Sequence, residues 1–590
     1  MTLCGNTCVN IKTDPNHCGA CNNKCFNGVC SGGQCCLPKQ ILCNGQCVDF
    51  QKDPNHCGGC GKKCPSAQAC ILSNCKECSS ASDCPSGKAC RDKKCADTCE
   101  AGTQCTKGID CEGTSPNKTC KCGANCGWLV TVGKALFKVE GKKLVLGKDE
   151  NLYVGVNVLS RSIEDKAPEL SFGTMPVLPP TDDNNKNGVV VKMNSLGQFV
   201  WRNAVTSSGD SPIGALTHAD GKTYIGGTFT QSAGFQDKTG SLKTPKETSA
   251  SFSAVLSSTG QFTQKNIIKD GIELNKVEVT GNAVLDDKGS YCTLMRMNGK
   301  KEVSLTIYCQ KASGEYLTDY KFKGPNGPAK TIMSTRIISG KSGELFLAGN
   351  CDEKLDLGAL GVLICGGNGL SSFFVKFVLE NGKLEPKWFT QHKTFLAREL
   401  AIAYDKDATP PTLYITGSGN GGQGIKLKGN KAHTVQFGQS GGIFVAQMDA
   451  NTGDYLWAVT PEKVTSETSI SPTDIAVDSR GVYVLGNFTG EVRFKNTKTI
   501  QTKSSKSDED TDAFILFLKK TQTASSSMDF FAQRVLITGD KLEQAHQLVI
   551  AKDGSVYVTG TFDSKNATFG SSTAEAKGDL DLFVWKVPRP

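Results

Sequence analysis

A short apolar segment recurs seven times after residue 127, and this recurrence restricts the possible folds more than any other feature of the sequence. Each copy has the alternating or continuous apolar pattern of a buried strand. Several follow Asp-Gly or related turn sequences, which supply the positive φ of tight hairpins. The copies lie 55 to 74 residues apart and read LYVGVN (from Leu152), TYIGGTF (Thr223), SYCTLM (Ser290), LFLAGNC (Leu345), LYITGSG (Leu413), VYVLGNF (Val482) and VYVTGTF (Val556).

A second pair of strands recurs within the same units. VVVKMNSLGQFVW (Val189–Trp201) matches IFVAQMDANTGDYLW (Ile443–Trp457), and three other units hold divergent versions. Their turns carry Gly197, Gly260, Gly314, Gly382 and Gly453. Four strands per unit, seven units and no helical periodicity predict an all-β fold, a seven-bladed β-propeller over residues 127–590.

The two ends of this region predict how the ring closes. The last unit stops after LDLFVWKVPRP, one strand pair short of a full unit, and the first begins with GWLVTVGKALF. Trp128 in that first segment corresponds in position to Trp201, Trp388 and Trp457. We therefore expect the N-terminal strands to complete the last blade, because closure removes exposed sheet edges.

Cysteine is concentrated before the propeller, where 25 of the 29 cysteines lie between Cys4 and Cys126. This density indicates a disulfide-rich, loop-rich region in an oxidising compartment. Zinc is the alternative, since Cys-x2-Cys pairs follow His17 and His56. Zinc modules group four ligands per ion, and no such grouping is visible here. We expect disulfides, and we interpret both histidines as turn residues.

Two cysteine-rich repeats are related by an offset of 39 or 40 residues. The disulfide candidates are Cys4, Cys8, Cys18, Cys21, Cys25, Cys30 and Cys35 in the first repeat, and Cys36, Cys43, Cys47, Cys57, Cys60, Cys64, Cys70 and Cys75 in the second. Cys36 has no counterpart in the first repeat. We therefore expect that Met1 is not the natural start of the secreted chain, and that the partner of the unmatched cysteine comes from upstream sequence or another chain.

Four domains follow from these patterns. They are the first cysteine-rich repeat (1–35), the second repeat (36–77), a third module with ten cysteines (78–126) and the propeller (127–590). Within the propeller, Cys292 and Cys309 fall in the third unit, and Cys351 and Cys365 fall in the fourth. Each pair is a candidate cross-strand disulfide, with buried free thiols as the alternative.

Two resemblances support this organisation. The YVTGTF and DAFI segments of the large units resemble SBBP-type and related bacterial β-propeller repeats, and DPNHCGGCGKKC resembles the cysteine-rich repeats of secreted myxobacterial-type proteins. Together they cover most of the chain. They imply architecture and secretion more than activity, because the matching motifs are structural. The third unit departs from the pattern, since SYCTLMRM lacks the glycine.

Charge and modification motifs narrow the possible partners. The formal net charge is +9, but the charges are spread, whereas a nucleic-acid reader would favour concentrated patches rich in arginine. We expect no nucleic-acid partner and a mild affinity for anionic polymers or cell envelopes. No run of 18 apolar residues occurs, so no membrane span is predicted. Glycosylation sequons begin at Asn117, Asn487 and Asn566, a number close to chance for this length.

Motifs for catalysis and cofactors are sparse. There is no His-Glu-x-x-His sequence and no Walker loop. GSGNGG (Gly417–Gly422) has the letters of a dinucleotide loop, but no helical segment follows to bind a pyrophosphate. The aspartate-containing turns lack the alternation of an EF-hand. We therefore predict no metal, no cofactor and no catalytic residue.

Two classes of function remain. The first is an extracellular structural or adhesive protein, in which a disulfide-stapled stalk carries a propeller head. Such a subunit could join a surface filament or appendage by binding other copies of itself, or bind extracellular protein or glycan. The second is a secreted carbohydrate-binding or hydrolytic protein with its site at the propeller channel. The first is favoured, because no catalytic motif is found and four of the five tryptophans occupy strand positions.

Overall fold

A computed structural model of the chain describes residues 1–97 and 127–587 with interruptions. The longer interruptions are 65–68, 77–87, 161–169, 176–184, 299–302, 365–370, 393–399, 420–423, 428–432, 437–441, 465–468, 495–499, 502–509 and 520–531, and the others span one to three residues. The chain divides into two compact units, Met1–Gly123 and Ala124–Pro590. The described residues form strands, turns and one short 3-10 helix, Gly358–Leu360, with no α-helix.

Seven antiparallel blades of four strands make up the second unit. Blade 1 comprises Phe137–Leu146, Leu152–Ser160, Lys186–Met193 and Phe199–Ser207. Blade 2 comprises Ile213–Ala219, Lys222–Thr230, Thr248–Leu256 and Phe262–Glu273. Blade 3 comprises Val277–Val284, Tyr291–Asn298, Val303–Gln310 and Tyr316–Lys321. Blade 4 comprises Ile332–Ser339, Glu344–Cys351, Ser371–Glu380 and Lys383–His392. Blade 5 comprises Leu400–Asp405, Thr412–Gly419, Gly442–Asp449 and Tyr455–Val459. Blade 6 comprises Ser469–Val477, Gly481–Thr489, Asp512–Lys519 and Ala532–Thr538. Blade 7 comprises Glu543–Ile550, Val556–Phe562, Asp581–Val587 and Trp128–Val132. The predicted seven-bladed propeller is confirmed.

The first strands of the blades surround the axis of the propeller. Each contacts the first strand of the next blade, and blade 7 contacts blade 1, so the ring is closed. The second strands, which carry the recurring sequence segment, are buried on both faces; every residue of Val556–Phe562 is buried. The core therefore lies between blades, as where Val190 of blade 1 packs with Ile225 and Phe252 of blade 2.

The N-terminal strand closes the ring. Trp128–Val132 pairs antiparallel with Asp581–Val587 as the outermost strand of blade 7, with Trp128 opposite Lys586. The closure expected from the sequence is therefore present.

Short hairpins between the second and third strands of a blade reach the outer edge of the preceding blade. In blade 2 the hairpin Ser232–Phe235 and Ser241–Lys243 extends the sheet of blade 1, and in blade 7 the hairpin Ala567–Phe569 and Ser572–Ala574 extends the sheet of blade 6. Two smaller sheets lie in comparable positions. One contains Gly327–Pro328, Lys323–Gly324, Leu355–Asp356 and Val362–Leu363, and the other contains Glu462–Val464, Glu491–Phe494 and Ile500–Gln501. A separate hairpin pairs Gly424–Leu427 with His433–Gln436. These hairpins cover backbone edges that would otherwise be open to pairing.

A tryptophan on the outer strand of three blades binds the turn of the following blade. The indole Nε1 donates a hydrogen bond to a turn carbonyl in each case: Trp128 to Ser195 (3.0 Å), Trp201 to Ser258 (3.0 Å) and Trp388 to Ala450 (3.2 Å). The indole lies over a turn glycine in the left-handed region, as at Gly453, where φ is +76° and a Cβ would lie 2.6 Å from the ring of Trp388. Glycine is required there by both conformation and space.

The N-terminal unit consists of two-stranded hairpins held by disulfides. The described strands are Thr2–Cys4, Thr7–Val9, Val29–Ser31, Gln34–Cys36, Gln40–Cys43, Gln46–Asp49, Ala69–Ile71, Asn74–Lys76, Lys88–Arg91 and Lys94–Asp97. The disulfides are Cys4–Cys21, Cys18–Cys30 and Cys25–Cys35 in the first repeat, with Cys43–Cys60, Cys57–Cys70 and Cys64–Cys75 as their counterparts in the second, and Cys36–Cys47. Cys8 is exposed with a free thiol. Most of residues 78–126 lie outside the described part of the chain.

Both repeat histidines hold turns. The Nδ1 of His17 accepts a hydrogen bond from the backbone of Asn22 at 3.0 Å, and His56 accepts one from Gly61 at 3.1 Å. The sulfurs of Cys18, Cys25 and Cys35 come within 4.8 Å of one another, as do their counterparts in the second repeat. All six belong to disulfides, so none of them is a thiolate available to zinc.

Candidate functional site

Six of the seven first strands carry a β-bulge at corresponding positions. A bulge leaves a residue unpaired and redirects its side chain, and bulges are common next to binding sites. The residues passed over include Lys142, Gly214, Thr280, Thr335, Thr473 and His546, one from each bulged strand. All six line a single cavity of about 590 Å³. We call it the axial cavity, because it lies among the first strands.

Four cationic side chains and one carboxylate line the axial cavity. The cations are Lys142, Lys143, Arg296 and Arg336, and the carboxylate is Glu278. Since they come from blades 1, 3 and 4, only closure of the ring brings them together.

Two of the cations reach across the cavity to another blade. The Nζ of Lys143, in blade 1, donates to the carbonyl of Thr280 in blade 3 at 3.3 Å. The Nη2 of Arg336, in blade 4, donates to the carbonyl of Thr473 in blade 6 at 3.0 Å. In both cases the acceptor is the backbone of a bulged residue, so the bulges position the cations as well as line the wall.

Acidic groups around the cavity balance only part of this charge. Glu278 forms an ion pair with Arg296, and Glu140 pairs with Lys142 at 3.2 Å and with Lys186 at 3.6 Å. The remaining acid is Asp474, whose Oδ2 accepts a hydrogen bond from the backbone of Leu548 at 3.0 Å. With Lys143 charged, the four lining cations outnumber the three carboxylates Glu278, Glu140 and Asp474, so the cavity carries net positive charge.

Burial shifts the titration of three groups at the cavity. Burial, with a smaller contribution from Arg336, lowers the pKa of Lys143 to about 7, although Asp474 and Glu278 act in the opposite direction. Burial and the cations Lys142, Lys143 and Arg336 lower the pKa of His546 to about 3, so its imidazole is neutral at physiological pH. The pKa of Asp474 is raised by burial, and Arg336 opposes that effect.

This arrangement is suited to holding an anion. Cationic donors that protein partly shields from water attract carboxylate, sulfate or phosphate groups more strongly than exposed donors do. A glycosidase, in contrast, needs two carboxyl groups flanking the bond that breaks, and Glu278 is the one carboxylate among the described lining residues. That lining also has no Trp, Tyr or Phe on which a neutral sugar ring could stack.

The predicted glycosylation sites differ in their surroundings. Asn566 is exposed in a turn, whereas Asn117 lies outside the described residues. The side-chain amide of Asn487 bridges to blade 7, donating to the carbonyl of Ala545 at 3.3 Å and accepting from its N–H at 2.9 Å. Asn157 makes the same link to Ile213. A glycan on Asn487 would break a contact that supports the bulge at His546.

The propeller cysteines are bonded where the structure describes them. Cys292 and Cys309 form a disulfide between directly opposite residues of neighbouring strands in blade 3. Cys351 is disulfide-bonded, and Cys365 lies outside the described residues. The pairing of Cys351 with Cys365 therefore stays a prediction.

Both glycine-rich matches are followed by a strand in the described part of the chain. Gly417 to Gly419 end a strand, and the next described element is another strand, Gly424–Leu427. The letters Gly-x-Ser-x-Gly of a nucleophile elbow occur once, as GQSGG at 438–442, immediately before the strand Gly442–Asp449. An elbow joins a strand to a following helix, so the order of elements here is different.

Sequence reasoning did not identify the bulged residues, although the sequence contains a signal for them. Each lies nine or ten positions before the start of a recurring strand segment, as Lys142 does before Leu152 and His546 before Val556. The residue types at these positions have no chemistry in common, so no motif marks them. Only their shared distance from the repeat could have pointed to one site.

Comparisons with known proteins add no family. No protein-family model matches the chain, and no curated protein matches it. The resemblance to SBBP-type and myxobacterial-type sequences therefore stays a prediction. Similar solved structures include an ulvan lyase from a new family of polysaccharide lyases (12% identity, TM-score 0.34, covering 73% of this chain and 93% of that one). A second is an endosialidase of phage phi92, with 13% identity and a TM-score of 0.27, covering 76% of this chain and 79% of that one. A third is a Trypanosoma rangeli sialidase, with 10% identity and a TM-score of 0.23, covering 82% of this chain and 95% of that one. Scores this low support no inference from those proteins to this one.

Proposed function

We propose that this protein is an extracellular adhesive protein whose propeller binds an acidic glycan in the axial cavity. The observation that carries the proposal is the set of four cations, two of which are held across the cavity by the bulged strands. Acidic polysaccharides present carboxylate or sulfate groups on a flexible chain, and such groups match the charge of the cavity. Because the lining has no aromatic ring, charge rather than stacking would select the ligand.

The proposed location agrees with the covalent chemistry of the chain. Eight disulfides are described, and disulfide-dense domains are typical of secreted proteins. Among the described residues, no helix has the length and apolar character needed to cross a membrane.

Binding of polygalacturonate, a uniformly carboxylated polysaccharide, tests the proposal, with neutral dextran as the reference polymer. We expect calorimetry to detect binding of polygalacturonate alone, weakened by salt. Arg336→Gln should reduce the affinity at least about tenfold, because it removes a charge-assisted contact inside the cavity. Lys383→Gln is the matched control, since it removes one positive charge from an exposed residue at the start of the outer strand Lys383–His392.

Three outcomes would count against an adhesive role at this cavity. Equal binding of dextran, or equal loss of affinity in both variants, would remove the axial cavity from the mechanism. Release of new reducing ends or unsaturated fragments from the polymer would favour the hydrolytic or lyase alternative.

The filament form of the proposal depends on Cys8. Its counterpart in the second repeat, Cys47, is bonded to Cys36, whereas Cys8 is exposed and free. A disulfide from Cys8 to a second copy would join subunits covalently. Negative-stain microscopy and non-reducing electrophoresis of material from the producing cells test this form. Discrete monomers in the wild type would contradict it, and Cys8→Ser should abolish any covalent oligomers.

A further inference from the structure

A buried carboxylate lies between blades 6 and 7, away from the axial cavity. Glu543, the first residue of the first strand of blade 7, is fully buried, at 0% exposure. Among the described residues, neither of its carboxylate oxygens has a hydrogen-bond partner of normal geometry. Burying an ionised carboxylate without a partner is strongly unfavourable. The fold therefore places a charge-bearing group where the described residues provide no cation to neutralise it.

Other acidic residues lie close to Glu543, beside the loop that contains Gly539. Asp512, which is 1% exposed, accepts a hydrogen bond at Oδ1 from the backbone N–H of Gly539 at 3.0 Å. Asp563 accepts one from Leu542 at 2.9 Å. The carboxylate of Glu543 fills the space beside Gly539, since a Cβ there would lie 2.1 Å from its Oε2. Because residue 539 is a glycine, the carboxylate of Glu543 can pack against the loop whose backbone N–H is bound by Asp512.

The electrostatics of this cluster follow from its geometry. Burial is the main reason that the pKa of Glu543 is raised to about 8; the charges of Asp512, Asp563 and Asp540 act in the same direction, and Ser564 acts in the opposite direction. Ser564 Oγ accepts the backbone N–H groups of Asp540 and Lys541 at 3.0 and 2.9 Å, which leaves its O–H as the group that lowers the pKa of Glu543.

The equivalent junction between blades 1 and 2 shows that the architecture does not require acids. The backbone of Ser211 donates to the carbonyl of Lys186 at 2.6 Å, as Glu543 donates to Thr511 at 2.6 Å. Ser211 therefore corresponds to Glu543, and Asn187 corresponds to Asp512. At the blade 1–2 junction, the Ser211 hydroxyl contacts Asn187 Oδ1 at 3.1 Å and the carbonyl of Val205 at 2.8 Å.

We propose that Asp512 and Glu543 bind a calcium ion at the junction of blades 6 and 7. Carboxylate oxygens are the ligands that Ca²⁺ favours, and the ion tolerates irregular geometry with water in its shell. The described acids do not place three ligand atoms within 4.8 Å of one another. We assign Asp512 and Glu543 as the direct ligands because both carboxylates lie against Gly539, and we assign Asp563 a contact through water. The ion joins the last strand pair of blade 6 to the first strand of blade 7.

Calcium titration of the whole protein tests the proposal. Calorimetry with CaCl₂ should show one site, and saturating Ca²⁺ should raise the midpoint of thermal unfolding by a few degrees over EDTA at about pH 8. Glu543→Gln keeps the shape of the side chain and removes its charge. This variant should show neither the heat of calcium binding nor the rise in the midpoint of thermal unfolding. Asp512→Asn should weaken binding at least about tenfold, because it removes a direct charged ligand.

A double variant provides the matched control. Asp512→Asn combined with Glu543→Ser places the neutral pair of the blade 1–2 junction at this position. It should fold, bind no calcium and unfold at the same temperature in Ca²⁺ and in EDTA.

Two results would overturn the proposal. One is full calcium binding retained by Glu543→Gln, which would place the ion elsewhere. The other is a wild-type protein that gives no heat of calcium binding and whose midpoint of thermal unfolding falls as pH rises between about 4.5 and 8. In that pH range the folded state would bind the proton of Glu543 more tightly than the unfolded state. Glu543 would then simply be protonated.

Discussion

Lys143 is the residue through which pH should control the axial cavity. Its folded pKa of about 7 is below its ordinary value of 10.5, so the lysine loses its charge within the physiological range. The charged groups that face it are Arg336, Asp474, Glu278 and Lys142. Of the groups facing Lys143, two are cations and two are acids, so burial is the deciding influence on its charge.

We therefore predict that binding of polygalacturonate weakens about tenfold between about pH 6 and pH 8, because the protonated fraction of Lys143 falls by about that factor. Lys143→Arg should give an affinity that is nearly constant over this range, since arginine stays charged. Calorimetry at constant ionic strength measures both. An unchanged pH profile in the arginine variant would assign the titration to another group.

Lys143 also affects stability, with the opposite dependence on pH. Because its folded pKa is below its unfolded pKa, the unfolded state binds more protons between about pH 7 and pH 10.5. Its contribution therefore makes the folded state more stable as pH rises through that range. A carboxylate bound in the cavity would raise the pKa of Lys143 and reduce this dependence.

At the scale of elements, each contact of an outer-strand tryptophan with the next turn depends on a glycine. Gly453 and Gly382 occupy corresponding turns and have φ values of +76° and +77°. A Cβ at 453 would meet Trp388, whereas a Cβ at 382 would meet nothing within 4 Å. The two positions therefore separate backbone strain from the contact between blades.

We predict that Gly382→Ala lowers the free energy of unfolding by about 1–2 kcal/mol, from left-handed strain alone. Gly453→Ala should cost about 1–3 kcal/mol more, because the tryptophan must move. Chemical denaturation of the two variants measures the difference. Equal losses would show that the packing of Trp388 contributes nothing to stability.

The β-bulges are the other feature decided at this scale. Strand pairing by itself would alternate side chains between the two faces of a blade. The extra residue in each of the six bulged first strands breaks that alternation, and it directs Lys142, Thr280 and His546 into the axial cavity. Lengthening or deleting a bulge by one residue would reverse the faces of the strand beyond it.

At the scale of the whole molecule, the closing strand determines whether the propeller is one cooperative unit. Trp128 is 1% exposed and Val132 is 5% exposed, because both side chains are buried in the core between blades 7 and 1. Each buried apolar side chain of this size contributes about 1.5–3 kcal/mol. Without the strand, Asp581–Val587 would become an exposed edge.

We predict that removal of residues 1–134 prevents folding or lowers the midpoint of thermal unfolding by roughly 10 °C or more. Removal of residues 1–123, which keeps the closing strand, should leave the propeller midpoint within about 2 °C. Calorimetry of the two truncated chains against the full chain makes the comparison. Equal midpoints for both would show that ring closure does not stabilise the fold.

The sequence by itself determined the number of blades, the closing strand and the disulfide-rich N-terminal region. These features repeat, and repetition makes a pattern visible without coordinates: seven copies of one strand segment, and two cysteine repeats with a constant offset. The conformation required is also local, because strand burial and turn glycines depend on neighbouring residues.

Only the tertiary structure decided which residues share a site. Lys143, Arg336 and Asp474 stand more than a hundred residues apart and belong to no motif, yet bulges at corresponding positions bring them to one axis. Glu543 and Asp512 likewise become a pair only where blade 6 meets blade 7. Local sequence specifies each strand, but the charge around a buried group is set by strands far away in the chain. A closed ring is what joins them.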